Sequence, residues 1–96
     1  MNIEKRKTKQ YIKSLPPVQL QQKLDEYKIP SPHKEILYLV CAERCPNFFV
    51  VADQLSSRFG INMTTWQIGY RLSEALDKFA SAKNYSENGD SSSIIL

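Results

Sequence analysis

Three polar side chains in the second half of the chain have the types and spacing to read base-pair edges. Thr64, Gln67 and Arg71 fall at i, i+3 and i+7, so a helix would set them on one side. An amide such as Gln67 can pair bidentately with adenine, a guanidinium such as Arg71 with guanine, and Thr64 can meet a base edge or a thymine methyl. Asn62, Met63 and Thr65 lie in the same stretch and complete the candidate reading set. Lys34 and Arg58, with Lys5, Arg6, Lys7 and Lys9 near the N-terminus, supply cations able to hold phosphates. The bland alternative is that Thr64, Gln67 and Arg71 are the solvated face of a bundle helix.

Other chemistries find less support. Cys41 and Cys45 share a helix face, but a zinc site needs four ligands and His33 is the single histidine. It precedes Cys41 by about 12 Å along a helix at roughly 1.5 Å per residue. No metal is expected. A disulfide within one turn would strain a regular helix, so both cysteines read as small, buried or half-buried thiols, kept reduced in a cytoplasm. Gly60, Gly69 and Gly89 are too scattered to form a phosphate-cradling loop. No serine, cysteine or carboxylate stands to His33 at the spacing of a triad. Asp25, Glu26, Glu74 and Asp77 read as ordinary surface positions. Neither an enzyme nor a cofactor is expected. The aromatics Phe48, Phe49, Phe59, Trp66, Tyr70 and Phe79 could stack on unpaired bases, yet their spacing suits core filling. Tyr70, next to the reading set, is open to either use.

The elements that would position these residues follow from periodicity and punctuation. Pro17 suits the first turn of a helix carrying Leu20, Leu24 and Tyr27, which Pro30 ends. Ser31-Pro32 reads as an N-cap followed by proline at the first helical position. The helix behind it carries Ile36, Leu37, Val40 and Cys41 on one face and stops before Pro46. Asn47 to Val50 is aromatic and β-branched enough for a short extended segment. Val51, Ala52, Leu55 and Phe59 then recur at helical spacing, and Gly60 stands where a positive φ would end the helix. Asn62 is a candidate N-cap for a last helix, about 62–78, with Ile68, Leu72, Ala75, Leu76 and Phe79 on its inner side. Ser56 supplies a small residue four positions before the glycine, Ile61 an apolar one after it, and Trp66 an apolar anchor. This is the pattern of a helix-turn-helix, whose second helix offers its N-terminal side chains to the major groove.

Composition is consistent with that scale. Ninety-six residues, 42% hydrophobic and 24% charged, suffice for one small domain. The longest apolar run, Ile36 to Ala42, is far short of the roughly 20 residues of a membrane span. The basic start has no apolar segment of a secretory signal behind it, so a cytoplasmic location without membrane partners is expected. The net charge of +3 divides into a local +4 over residues 1–13, +1 over 14–83 and −2 over 84–96. Residues 1–14 thus read as a basic flexible arm, able to follow phosphates or anionic lipid, or simply solvated. Residues 15–83 read as the helical domain. Residues 84–96 read as a polar flexible tail, whose closing Ile94-Ile95-Leu96 could dock on a partner. The expected fold is mostly α: a small four-helix domain containing a helix-turn-helix near residues 50–78.

The run Ile36-Leu37-Tyr38-Leu39-Val40-Cys41-Ala42-Glu43, then Asn47 to Ala52, Leu55-Ser56, Phe59-Gly60-Ile61-Asn62, Trp66-Gln67-Ile68 and Tyr70 resembles the CaiF/GrlA family of enterobacterial transcription activators. The likeness covers about residues 36–75. It implies a winged helix-turn-helix with Thr64, Thr65, Gln67 and Arg71 on the recognition helix. Small fimbrial regulators of the PapB type are similar in size and layout. The chain departs from the CaiF/GrlA pattern after the recognition helix, where no alternating strands follow, so the wing is expected to be short or absent. The functional expectation is a bacterial transcription regulator of this activator type that binds duplex DNA, as a homodimer. The alternative is an interaction module of the same fold that binds another regulator or RNA polymerase without reading DNA.

Overall fold

The computed structural model describes the backbone of residues 3–95 and the side chains of residues 3–85. The chain is mostly helical, and the described residues contain no strand. Five α-helices follow in order: α1 Ile3–Ser14, α2 Pro17–Glu26, α3 His33–Leu37, α4 Phe48–Phe59 and α5 Thr65–Ile95. A π-helical segment, Tyr38–Ala42, continues α3. The long α5 is the spine, with α1, α3 and α4 packed on it.

The fifth helix, α1, replaces the expected arm. Ile12 is fully buried, and Tyr11 lies 6.3 Å from Phe79 of α5, centroid to centroid. One buried isoleucine and one ring suffice to dock a helix whose other residues are mainly charged, because long lysine stems cover apolar surface while their ammonium groups reach water. At the other end the backbone of the expected tail continues α5 as far as Ile95. The side chains of that tail from residue 86 on, and the suggested docking of Ile94-Ile95-Leu96, lie outside the described residues.

The middle of the chain follows the apolar pattern with local changes. In α2, Pro17 takes the first turn and Leu20 and Leu24 are buried. The helix ends before Pro30 is reached, at Glu26; Lys28 beyond it adopts the left-handed region with φ 54° and lets Ile29 turn into the core. Ser31 does not cap α3; its hydroxyl donates to the Glu35 carboxylate at 3.0 Å. Beyond Leu37 the π segment buries Leu39, Val40 and Cys41 in succession. Such a run has no polar face, and none is needed, since α1, α2 and α4 all surround it.

Asn47 to Val50 is not extended. Asn47 is an N-cap, its side-chain oxygen accepting from the Val50 N–H at 3.0 Å, and this starts α4 at Phe48. A satisfied helix terminus overrides the strand preference of Phe-Phe-Val. Val51 and Leu55 face α5, whose Ile68, Leu72, Ala75, Leu76 and Phe79 are all buried, as their spacing requires. Tyr27 of α2 meets Phe79 edge-on at 5.1 Å. Ala52 is only half-buried and Phe59 keeps 42% of its surface exposed.

Candidate functional site

The site is built around the turn between α4 and α5. Gly60 ends α4 in the left-handed region, φ 66° and ψ 24°. Its N–H donates to the Ser56 carbonyl at 3.2 Å, and the Ile61 N–H to the Leu55 carbonyl at 3.0 Å. Both bonds close the C-terminus of the helix, a geometry available to glycine without a Cβ penalty. Ile61 and Met63 then pack against the core, so Met63 serves packing rather than the reading set.

The start of α5 differs from expectation at Asn62. The cap is Thr64: its Oγ1 accepts from the Gln67 N–H at 3.2 Å, while its own N–H donates to Gln67 Oε1 at 2.9 Å. This reciprocal Thr-x-x-Gln arrangement is a capping box and satisfies two otherwise unpaired backbone donors. Asn62 stands two residues earlier, its Oδ1 accepting from the Ser56 hydroxyl at 3.1 Å. Ser56 is exposed rather than wedged between the helices. Thr65, the first residue of α5, is half-buried.

Arg71 is engaged as well. Its Nη1 donates to Glu74 Oε1 at 2.7 Å, and His33 Nε2 donates to the same oxygen at 3.2 Å. The His33 Nδ1 is buried with no hydrogen-bond partner among the described residues. A proton there would forfeit a bond, which assigns it to Nε2. The Arg71 hydrogen bond, and then that of His33, hold the Glu74 carboxyl below its usual range. Asn62, Met63, Gln67 and Arg71 line one open groove of about 590 Å³ with Ser31, Pro32, His33 and Ile61. The structure therefore gathers most of the reading set, with Thr64 and Gln67 bonded to each other and Asn62 and Arg71 bonded to Ser56 and Glu74.

Two aromatic side chains at the start of α5 project instead, and Phe49 of α4, expected to fill the core, is 76% exposed as well. Trp66 is 76% exposed and Tyr70 53% exposed. Trp66 is thus not an anchor in the core. The rings stack on each other at 6.0 Å with planes 11° apart, and the Arg71 guanidinium lies 5.5 Å from the Tyr70 centroid. The spacing carried this signal: Trp66 precedes the buried Ile68 by two residues, about 200° around a helix of 3.6 residues per turn.

The cations fall into two groups. Lys34 and Arg58 line a smaller groove between α3 and α4, but Arg58 is held by both carboxylate oxygens of Glu43, at 2.7 and 2.8 Å. On α1, Lys5 reaches α5, bonding the Ser73 hydroxyl and lying 3.5 Å from Asp77. Arg6 and Lys7 are exposed, and Lys9 is half-buried. Lys9, Lys13 and Arg44 pull the Cys41 thiol down, but burial outweighs them and pushes it up to about 11. Burial also raises the half-buried Cys45. Both cysteines are free. Among the described residues no cluster of three potential metal ligands occurs, and no helix is long and apolar enough to cross a membrane.

Known proteins offer no match. The chain matches no family model, and no curated protein and no solved structure is significantly similar to it.

Proposed function

We propose that the chain is a bacterial transcription regulator that binds duplex DNA through a helix-turn-helix made of α4, the Gly60 turn and α5. One observation carries this reading: the left-handed Gly60 turn joins two helices with buried inner faces, while Trp66, Gln67 and Tyr70 on the outer side of the first two turns of α5 stay exposed. A helix N-terminus held out from the core by a short, capped turn is the part such proteins lay in the major groove. The CaiF/GrlA-like run from Ile36 to Tyr70 supports the same assignment. Without a wing, phosphate contacts fall to exposed cations of α1, to Lys34 and to a second subunit, because Arg58 is already paired with Glu43.

The test is the affinity of the full chain for a labelled random duplex at about 50 and 200 mM salt. Binding at the lower concentration that falls steeply at the higher one is expected. No binding at low salt overturns the proposal.

A second reading is an interaction module that binds another regulator or RNA polymerase. The pairs Arg58–Glu43 and Arg71–Glu74 favour it, since they neutralise guanidinium groups a DNA surface would use. It requires the absence of duplex binding, together with co-sedimentation with the purified polymerase or regulator.

A further inference from the structure

Trp66, Tyr70, Ser73 and Asp77 follow at i, i+4, i+7 and i+11 on α5 and form one stripe along the helix. The C-terminal half of the stripe is occupied by Lys5 of α1. The N-terminal half is the exposed Trp66–Tyr70 stack. A solvated helix face carries charged and small polar groups. This one carries two exposed aromatic side chains, on the two turns that the proposed function places against DNA.

We infer that Trp66 and Tyr70 are the base-contacting residues and that they recognise thymine methyl groups in the major groove. The inference rests on the duplex-DNA reading and moves specificity away from Thr64 and Gln67, whose hydrogen-bonding atoms close the helix cap. In the major groove the C5 methyl of thymine is the apolar feature, and the other base-edge features are donors and acceptors. An indole and a phenol set side by side bury such methyls where polar side chains would not. The Tyr70 ring is already stacked against the indole and lies close to the guanidinium. That arrangement favours contact at ring edges over insertion of an unpaired base. Charge fits the same occupant. Arg71 lies beside the pair, and the first turns of α1 bring Lys5 onto the same stripe with Arg6 and Lys7 exposed behind it. Arg71 and Lys5 are balanced by Glu74 and Asp77, so the cations left to meet the phosphate backbones beside the aromatic contact are the exposed Arg6 and Lys7.

The experiment enriches duplexes from a random pool with the full chain, then replaces each thymine of the best duplex by uracil, which pairs identically but lacks the methyl. Wild-type affinity is expected to fall about fourfold at one or two thymines, the equivalent of one buried methyl. Placing 5-methylcytosine for cytosine tests the methyl without the thymine. Trp66→Ala and Tyr70→Ala remove exposed side chains, so circular dichroism should show folded variants. They are expected to bind the enriched duplex more weakly and to lose the distinction between thymine and uracil.

Enriched duplexes whose thymines all tolerate uracil overturn the inference while leaving duplex binding intact. So does a thymine preference that survives in both variants. Tighter binding of single strands that depends on Trp66 overturns it in favour of a base-stacking platform. Absence of any duplex binding at low salt overturns it together with the function it rests on, and is distinguished by the random-duplex control.

Discussion

At the scale of residues, the polar groups that first suggest base reading are engaged in contacts within the fold, Thr64 with Gln67 and Arg71 with Glu74, and that makes their structural roles measurable. Thr64→Ala removes the hydroxyl that caps α5 and is expected to cost about 1 kcal/mol in urea denaturation. Gln67→Ala breaks the other half of the box. The two act as one unit, so the double variant should lose less than the sum of the singles. Asn62→Ala, at the position that sequence alone suggests as the cap, should cost less than Thr64→Ala; the opposite ranking would mean that Asn62 caps the helix. Glu74 supplies a pH signature. Its folded-state pKa lies below the ordinary value of 4.5, so its contribution is fully present above that value and is lost as pH falls through the lower folded one. Wild-type stability should therefore decline in acid relative to Glu74→Gln, and the difference should shrink in high salt because the pair is half-exposed. Parallel pH profiles at low salt would show that the Arg71–Glu74–His33 contact contributes nothing.

At the scale of elements, α1 is the sharpest departure from the sequence reading and has the largest expected energetic consequence. A flexible arm would tolerate substitution, whereas Ile12 is fully buried in the common core. Ile12→Ala is expected to cost about 2–5 kcal/mol, read from the urea midpoint, and a cost below about 0.5 kcal/mol, the range of an ordinary surface substitution, would restore the arm. What is legible and what is not divides along physical lines. The inner face of α5 and the Gly60 turn can be read because a 3.6-residue apolar period and a glycine at a helix end each have few alternative explanations. The first helix cannot, since five cations in thirteen residues hide the one buried isoleucine that decides the matter. At Phe48-Phe49-Val50 local β-propensity misleads, because the Asn47 cap and the packing of Phe48 against Gly69 are decided by contacts outside that triplet. The Thr-x-x-Gln box is visible in the sequence but is masked by Asn62, an equally good cap two positions upstream. Trp66 is misplaced by the expectation that a tryptophan seeks the core, although its angular distance from Ile68 on the helix puts it outside.

At the scale of the whole molecule, the distribution of charge determines how the chain would hold DNA under the proposed function. The body from 14 to 83 carries a local charge of only +1, and its outward guanidinium groups at Arg58 and Arg71 are paired with Glu43 and Glu74. The exposed Arg6 and Lys7 sit on a fixed helix whose neighbouring Lys5 is bound to α5, so they are presented in a defined position rather than at the end of a mobile arm. Deleting α1 would confound binding with unfolding, since Ile12 would go with it. Arg6→Gln combined with Lys7→Gln removes charge without touching the buried face. Each phosphate left without its cation should lower the slope of log affinity against log salt by about 0.9. The double variant is therefore expected to lose up to about two units of slope and to weaken binding to every duplex alike, leaving the preference among sequences unchanged. A slope equal to that of the wild type would show that α1 faces away from the phosphates. The electrostatic attraction would then have to come from cations of the body such as Lys34 and Lys78.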